Sequence, residues 1–324
     1  MLAARYENTG PASDVLRVEE IATPEPGPGE VLVRVRVSGV NPTDVKSRSG
    51  ATGPLRADFQ IPDQDGAGVI EAVGEGVDRA RVGQRVWLYF AAFKRPWGTA
   101  AEYTVIPADQ AVPLPEGVSE DLGASLGIPA LTAHRCLLAD GPIDGRTVLV
   151  AGGAGSVGHA AIELATYLGA HVIATVSGEE KAELARRAGA HEVVNYRDDD
   201  AIDQVRAAAP DRVHRVVEVA LGANLELDVA VCARNAAIST YADDGPAPEL
   251  EVRRLMAANL VLRFVMVYVM GADAVRAAVE GVTDALEAGA LTPLPLHRFG
   301  LEQAAAAHEA VESAAIGKVL VDIA

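Results

Sequence analysis

Residues 147–170, TVLVAGGAGSVGHAAIELATYLGA, allow few folds. A run of β-branched and aliphatic residues breaks into small ones, and apolar residues then resume three and four apart. Val157, Ala161, Leu164, Ala165 and Leu168 fall on one face of the implied helix, and Gly169 stops it. Inside the turn, GAGSVG (153–158) has the spacing G-x-G-x-x-G between strand and helix. Gly153 is expected to permit the tight turn, Gly155 to let backbone approach a pyrophosphate, and Gly158 to let the helix pack on the strand, with Ser156 and Val157 completing the loop. The helix N-terminus would then offer N–H groups and its positive dipole end to phosphates.

The same rhythm continues. After TVLVA and a helix over 156–168 come HVIATV and 179–188, EVVNY and 202–209, RVVEVA and 223–233, then AAISTY and LVLRFVMVY. These strands are continuous apolar runs, as expected when helices cover both faces, and six of them imply a doubly wound parallel sheet. The first 120 residues read differently. EVLVRVRVSGV, GAGVIEAVGEGV and VGQRVWLYF are strands punctuated by Pro/Gly turns, the pattern of a barrel or sandwich. The expected fold is therefore α/β with two domains: a β-rich domain over 1–122, a dinucleotide-binding domain over 123–268, and a segment 269–324 whose strand KVLVDI returns to the first domain.

Charge and composition narrow the function. A formal charge of −17 argues against nucleic acid and anionic membrane surfaces as partners. The two cysteines, Cys136 and Cys232, have no metal-ligand spacing and form no disulfide framework. No secretory leader or apolar span of 18 residues is visible, so a cytoplasmic setting is expected.

The end of the second strand bears on which dinucleotide binds. An NAD-selective site carries an acidic residue there to hold the ribose 2′-OH. Here VIATVSGEEK places Ser177 and Gly178 at that turn, Lys181 one turn into the next helix, and Tyr196 at the end of the third strand. An ammonium at Lys181 suits a 2′-phosphate, which favours NADPH as cofactor.

Six collinear stretches then carry a resemblance over essentially the whole length: GVNPTDVKSRSG, GAGVIEAVGEGV, GIPALTAHRCL, AGGAGSVGHAAIELA, AGAHEVVNYRDDD and AAHEAVESAAIGKVLVDI. The chain resembles the zeta-crystallin-type quinone oxidoreductases of the zinc-independent medium-chain dehydrogenase/reductase superfamily. The resemblance implies a GroES-like first domain, a Rossmann second domain with an active-site cleft between them, NADPH as hydride donor, and a homodimer. It implies that Asn41 and Thr132 lie near the nicotinamide and that Gly153, Gly155, Ser156, Val157 and Gly158 hold the pyrophosphate. Ser177, Lys181 and Tyr196 would contact the 2′-phosphate, and Tyr241 with Val265, Met266 and Val267 the nicotinamide end. The zinc branch needs a Cys where this chain has Asn41 and Gly-His-Glu where it has Gln64-Asp65-Gly66, so no metal is expected.

Two departures concern the acceptor. Tyrosines that many family members carry are replaced by Lys46 and Thr52, and the second replacement counts against a tyrosine proton donor. The aromatic stretch YFAAFKRPWGTAAEY (89–103) reads equally as a pocket wall for a flat apolar substrate or as a packed loop. The leading expectation is hydride transfer from NADPH to a quinone-like acceptor, with Lys46 or Asp44 assisting protonation. His134 and His159 pair with no carboxylate by a visible motif and are read as structural. An enone or enoyl-thioester reductase and a non-catalytic NADPH-binding protein remain as alternatives.

Overall fold

The computed structural model describes residues 1–243 and 245–323. In chain order the elements begin with β1 (Leu2–Arg5), α1 (Ala12–Val15), β2 (Arg17–Glu20), β3 (Glu30–Val40), α2 (Pro42–Ser49), β4 (Asp65–Val73), β5 (Arg85–Leu88), β6 (Tyr103–Pro107), β7 (Ala111–Pro113) and α3 (Glu120–Gly123). Then come α4 (Gly127–Leu138), β8 (Thr147–Ala151), α5 (Ser156–Tyr167), β9 (His171–Val176), α6 (Glu179–Arg187), β10 (Glu192–Asn195), α7 (Ala201–Ala208), β11 (Val213–Glu218), α8 (Leu221–Val231), β12 (Cys232–Thr240), α9 (Val252–Ala258), β13 (Val261–Phe264) and α10 (Ala272–Glu287). Last are β14 (Leu296–Gly300), α11 (Ala304–Glu312) and β15 (Lys318–Asp322). The chain divides into two compact units, one of residues 1–128 with 293–324 and one of 129–292. The expected boundaries lay at 122 and 268; helix α10 belongs to the second unit and not to the returning segment.

In the first unit a seven-stranded sheet runs β14-β15-β3-β4-β5-β7, with β6 also paired to β3. β3 is the spine: its eleven residues bond β4, β6 and β15, all antiparallel. Its inward residues Val31, Val33 and Val35 are buried, the first two beside Ile70, Val86 and Ile106. β15 returns to this sheet as its sequence suggested, with Val319 opposite Val40 and Asp322 opposite Val37.

The second unit holds a six-stranded sheet in the order β10-β9-β8-β11-β12-β13, every pair parallel. Leu149, Ile173, Val216 and Ile238 are wholly buried at its centre, which the continuous apolar runs require. The order reverses between β8 and β11, so the ends of those two strands flank the position where doubly wound sheets bind ligands. LVLRFVMVY was expected to be one strand, but only Val261–Phe264 is. Its neighbour β12 stops at Thr240, one further bond joins Val265 N–H to Thr240 O, and residues 267–269 then tighten into a 3₁₀ turn.

Candidate active site

The glycine turn follows β8 as the spacing demanded, but the tight-turn role falls to Gly152, one residue before the expected Gly153. Gly152, not Gly153, has the left-handed backbone, with φ +70°. The N–H groups of both residues donate to Thr175 O, tying the turn to β9. Gly153 is instead a packing position, since a Cβ there would lie 2.9 Å from Ala174 Cβ and 3.0 Å from Ile162 Cδ1. A Cβ on Gly158 would meet Gly152 O at 2.3 Å, so the helix lies directly on the turn. Gly155 is the N-cap of α5 and no side chain caps this end, which leaves a cradle suited to a pyrophosphate. Ser156 and Val157 open the helix, as expected.

At the end of β9 the three residues expected to mark a 2′-phosphate come together, with a fourth that the sequence reading missed. Lys181 Nζ donates to Ser177 Oγ at 3.1 Å. Arg197 Nη1 donates to Ser177 O at 3.3 Å, and its guanidinium lies 5.8 Å from the centre of the Tyr196 ring. Arg197 directly follows EVVNY; the signal was the basic residue beside Tyr196. An ammonium and a guanidinium on one serine form a cationic group of the kind that binds phosphate.

Elsewhere in the second unit, Thr132 sits on α4 and is 5 % exposed. Tyr241 N–H donates to Glu218 O at 3.2 Å, and burial holds the Tyr241 hydroxyl far above the ordinary phenol range. In the segment 265–267, Val265 and Val267 are buried while Met266 is exposed. His159 is no isolated histidine. Its Nε2 lies 3.2 Å from Glu163 Oε1, one helical turn on, and 3.1 Å from Thr292 O. The i, i+4 spacing of His159 and Glu163 is the sequence signal for this pair.

In the first unit Asn41 is the centre of a buried polar cluster. Its Nδ2 donates to Asp65 Oδ2 at 2.7 Å, its Oδ1 accepts from Lys318 Nζ at 2.8 Å, and its backbone N–H donates to Asp44 Oδ2 at 2.8 Å. Asn41, Asp44, Asp65 and Lys318 are each at most 2 % exposed. Burial, more than any neighbour, lifts the Asp65 carboxyl to about 6, and raises Asp44 well above its usual range with help from Asp63 and Asp65. The same burial lowers the Lys318 ammonium, against the pull of the three carboxylates. Lys46 is half-buried in the last turn of α2. Beyond it, the aromatic stretch packs largely on itself. Tyr89 and Phe90 are 5.0 Å apart edge to face, Lys94 Nζ lies 5.1 Å over Phe93, and Phe90 and Lys94 both take positive φ.

A glycine turn at the switch point of a parallel sheet, with a cationic group ending the next strand, is the arrangement of Rossmann-fold dehydrogenases and reductases. Comparison with known proteins agrees. Residues 27–116 match the alcohol dehydrogenase GroES-like domain, and 156–284 match the family described as zinc-binding dehydrogenase. A quinone oxidoreductase of Rattus norvegicus is 31 % identical over 97 % of this chain and 95 % of its own. A mycobacterial protein solved in complex with NADPH is 31 % identical, covers 99 % of this chain and 100 % of its own, and superposes with a TM-score of 0.86. An NAD-dependent alcohol dehydrogenase, 28 % identical with all of both chains covered, superposes at 0.90. The chain belongs to the quinone oxidoreductase family of the medium-chain dehydrogenase/reductase enzymes. Among the described residues no helix is long and apolar enough to cross a membrane.

Proposed function

We propose that the protein is an NADPH-dependent reductase that transfers hydride to a quinone-like acceptor without zinc. The observation that carries the choice of cofactor is the group Ser177, Lys181, Tyr196 and Arg197. It sets two positive charges where an NAD-selective site needs a carboxylate. Bound there, NADPH supplies the hydride from C4 of its nicotinamide. The chain itself fixes the pyrophosphate on α5, holds the 2′-phosphate by charge, and positions the nicotinamide end with Thr132, Tyr241 and Val265 to Val267. Asn41 is proposed as an amide donor to the reacting groups. Its second Nδ2 hydrogen makes only a long contact with Gly39 O, at 3.4 Å. Lys46 is proposed to assist protonation.

The zinc-independent reading rests on the donor set. Where the metal branch needs sulfur and imidazole, this chain offers an amide and a carboxylate already bound by an internal cation, Lys318. A second copy of the chain is the proposed partner. β13 is an edge strand, and Phe264, Met266 and Val269 on and after it are 73 %, 65 % and 70 % exposed. A reducing, cytosolic setting suits two free cysteines.

The test is steady-state oxidation of NADPH and NADH against para- and ortho-quinones and α,β-unsaturated ketones, with and without a strong chelator. Quinone-dependent oxidation of NADPH that resists the chelator is the expected result. Turnover on enones alone overturns the acceptor assignment, and loss of turnover on chelation overturns the metal-free one.

A further inference from the structure

We propose that Glu218 and Asp228 share one proton, and that this link positions the turn between β11 and α8 against the glycine loop, so that dinucleotide binding weakens when the pair ionises. The proposal rests on the dinucleotide reading above and adds a pair of positioning residues to it.

Asp228, on α8, is wholly buried, and neither of its oxygens meets a donor. Glu218 ends β11 and is equally buried; its Oε1 accepts from Ala220 N–H and, at 2.9 Å, from Asn224 Nδ2, while Oε2 has no donor. The two carboxyl groups act on each other's ionisation, and neither offers the other a donor. Two carboxylates so placed have no hydrogen between them, and buried like charges repel strongly, so one proton belongs to the pair.

The neighbours supply no alternative. Cys232 of β12 stands beside Asp228, and Tyr241 stands beside Glu218 and Cys136. Burial keeps these groups protonated; the Cys136 thiol is pushed up to about 12. None of them carries a positive charge. Burial likewise raises both carboxyls above their ordinary range, Asp228 the more.

The pair is connected to the cofactor loop by contact. Val219 follows Glu218, and its Cγ1 lies 3.1 Å from where a Cβ on Gly152 would be. Glu218 Oε1 holds Ala220 N–H, and Glu218 O takes the N–H of Tyr241. A carboxylate pair pushed apart therefore shifts a turn that touches the pyrophosphate loop on one side and the end of β12 on the other.

The experiment is the dissociation constant of NADPH, by quenching of protein fluorescence, from about pH 6 to about pH 9 for the wild type, Asp228→Asn and Glu218→Gln. Either amide retains a hydrogen for the link at every pH. The wild type is expected to weaken at least about fivefold toward alkaline pH, and the variants less than about twofold. Parallel pH courses in wild type and variants, or a flat course in the wild type, overturn the proposal. Absence of NADPH binding at every pH overturns the reading beneath it, and the proposal with it. Thermal unfolding is the second measurement. A wild-type midpoint that falls as pH rises while that of Asp228→Asn holds level supports the shared proton, and equal slopes refute it.

Discussion

One serine with an ammonium on its hydroxyl and a guanidinium on its carbonyl can tell a phosphate monoester from a ribose hydroxyl by charge alone. Lys181→Ala and Arg197→Ala are each expected to raise the KM for NADPH about tenfold and leave that for NADH within about twofold, read from initial rates. Equal losses with both cofactors would mean that the two residues only support the fold. Lys318 gives a second prediction at this scale. It is the ammonium facing Asp44, Asp63 and Asp65, and Lys318→Met would leave those carboxylates without it. The expected cost is about 3–5 kcal/mol in urea unfolding, partly recovered by adding Asp65→Asn. Local spacing made Ser177 and Lys181 legible because a helix turn brings them together. It could not show Asn41 with Lys318, which are 277 residues apart, or Glu218 with Asp228, which meet only once α8 has packed on β11. Sequence patterns encode what a short segment does alone; buried polar pairs record what the fold brings together.

Elements carry their own consequences. The bounds of β3, β8 and β9 were readable to the residue because β8 and β9 are mostly apolar runs closed by turns and β3 alternates apolar with polar residues directly after a Pro/Gly turn. That of β13 was not, because its length is set by where its partner ends. At the N-terminal ends of the parallel strands two histidines act as caps. His191 Nδ1 accepts from Val172 N–H at 3.1 Å and His214 Nδ1 from Thr147 N–H at 3.2 Å. Burial lowers the pKa of both imidazoles, assisted by His171 at His191 and by Arg146 at His214. The folded protein therefore binds fewer protons here than the unfolded chain, and this contribution to stability is present above about pH 6.5 and lost as pH falls. Differential scanning calorimetry should show the midpoint falling on acidification, and less steeply in His191→Asn/His214→Asn. Helix α5 makes the converse point about size. Gly158→Ala would drive a methyl group into Gly152 O, so NADPH binding is expected to be lost while the other strands remain folded, measurable by titration beside circular dichroism.

For the whole molecule the proposed assembly gives the clearest test. Light scattering at micromolar concentration should return twice the mass of one chain, and Phe264→Asp should return one, because a buried carboxylate would stand where an apolar edge closes. The chain enters its first unit, leaves it after residue 128, and returns at 293. During synthesis the second unit is contiguous and can fold as soon as it emerges, whereas the first must wait. Asn41, Asp44 and Asp65 are made early, yet their cation is Lys318, and their sheet lacks β14 and β15 until those strands arrive. At ribosomal speed that interval lasts some tens of seconds. Through it the half-built sheet holds acid groups without that cation and an open strand edge, so the segment made after the second unit is the one that makes the first-written unit safe to close.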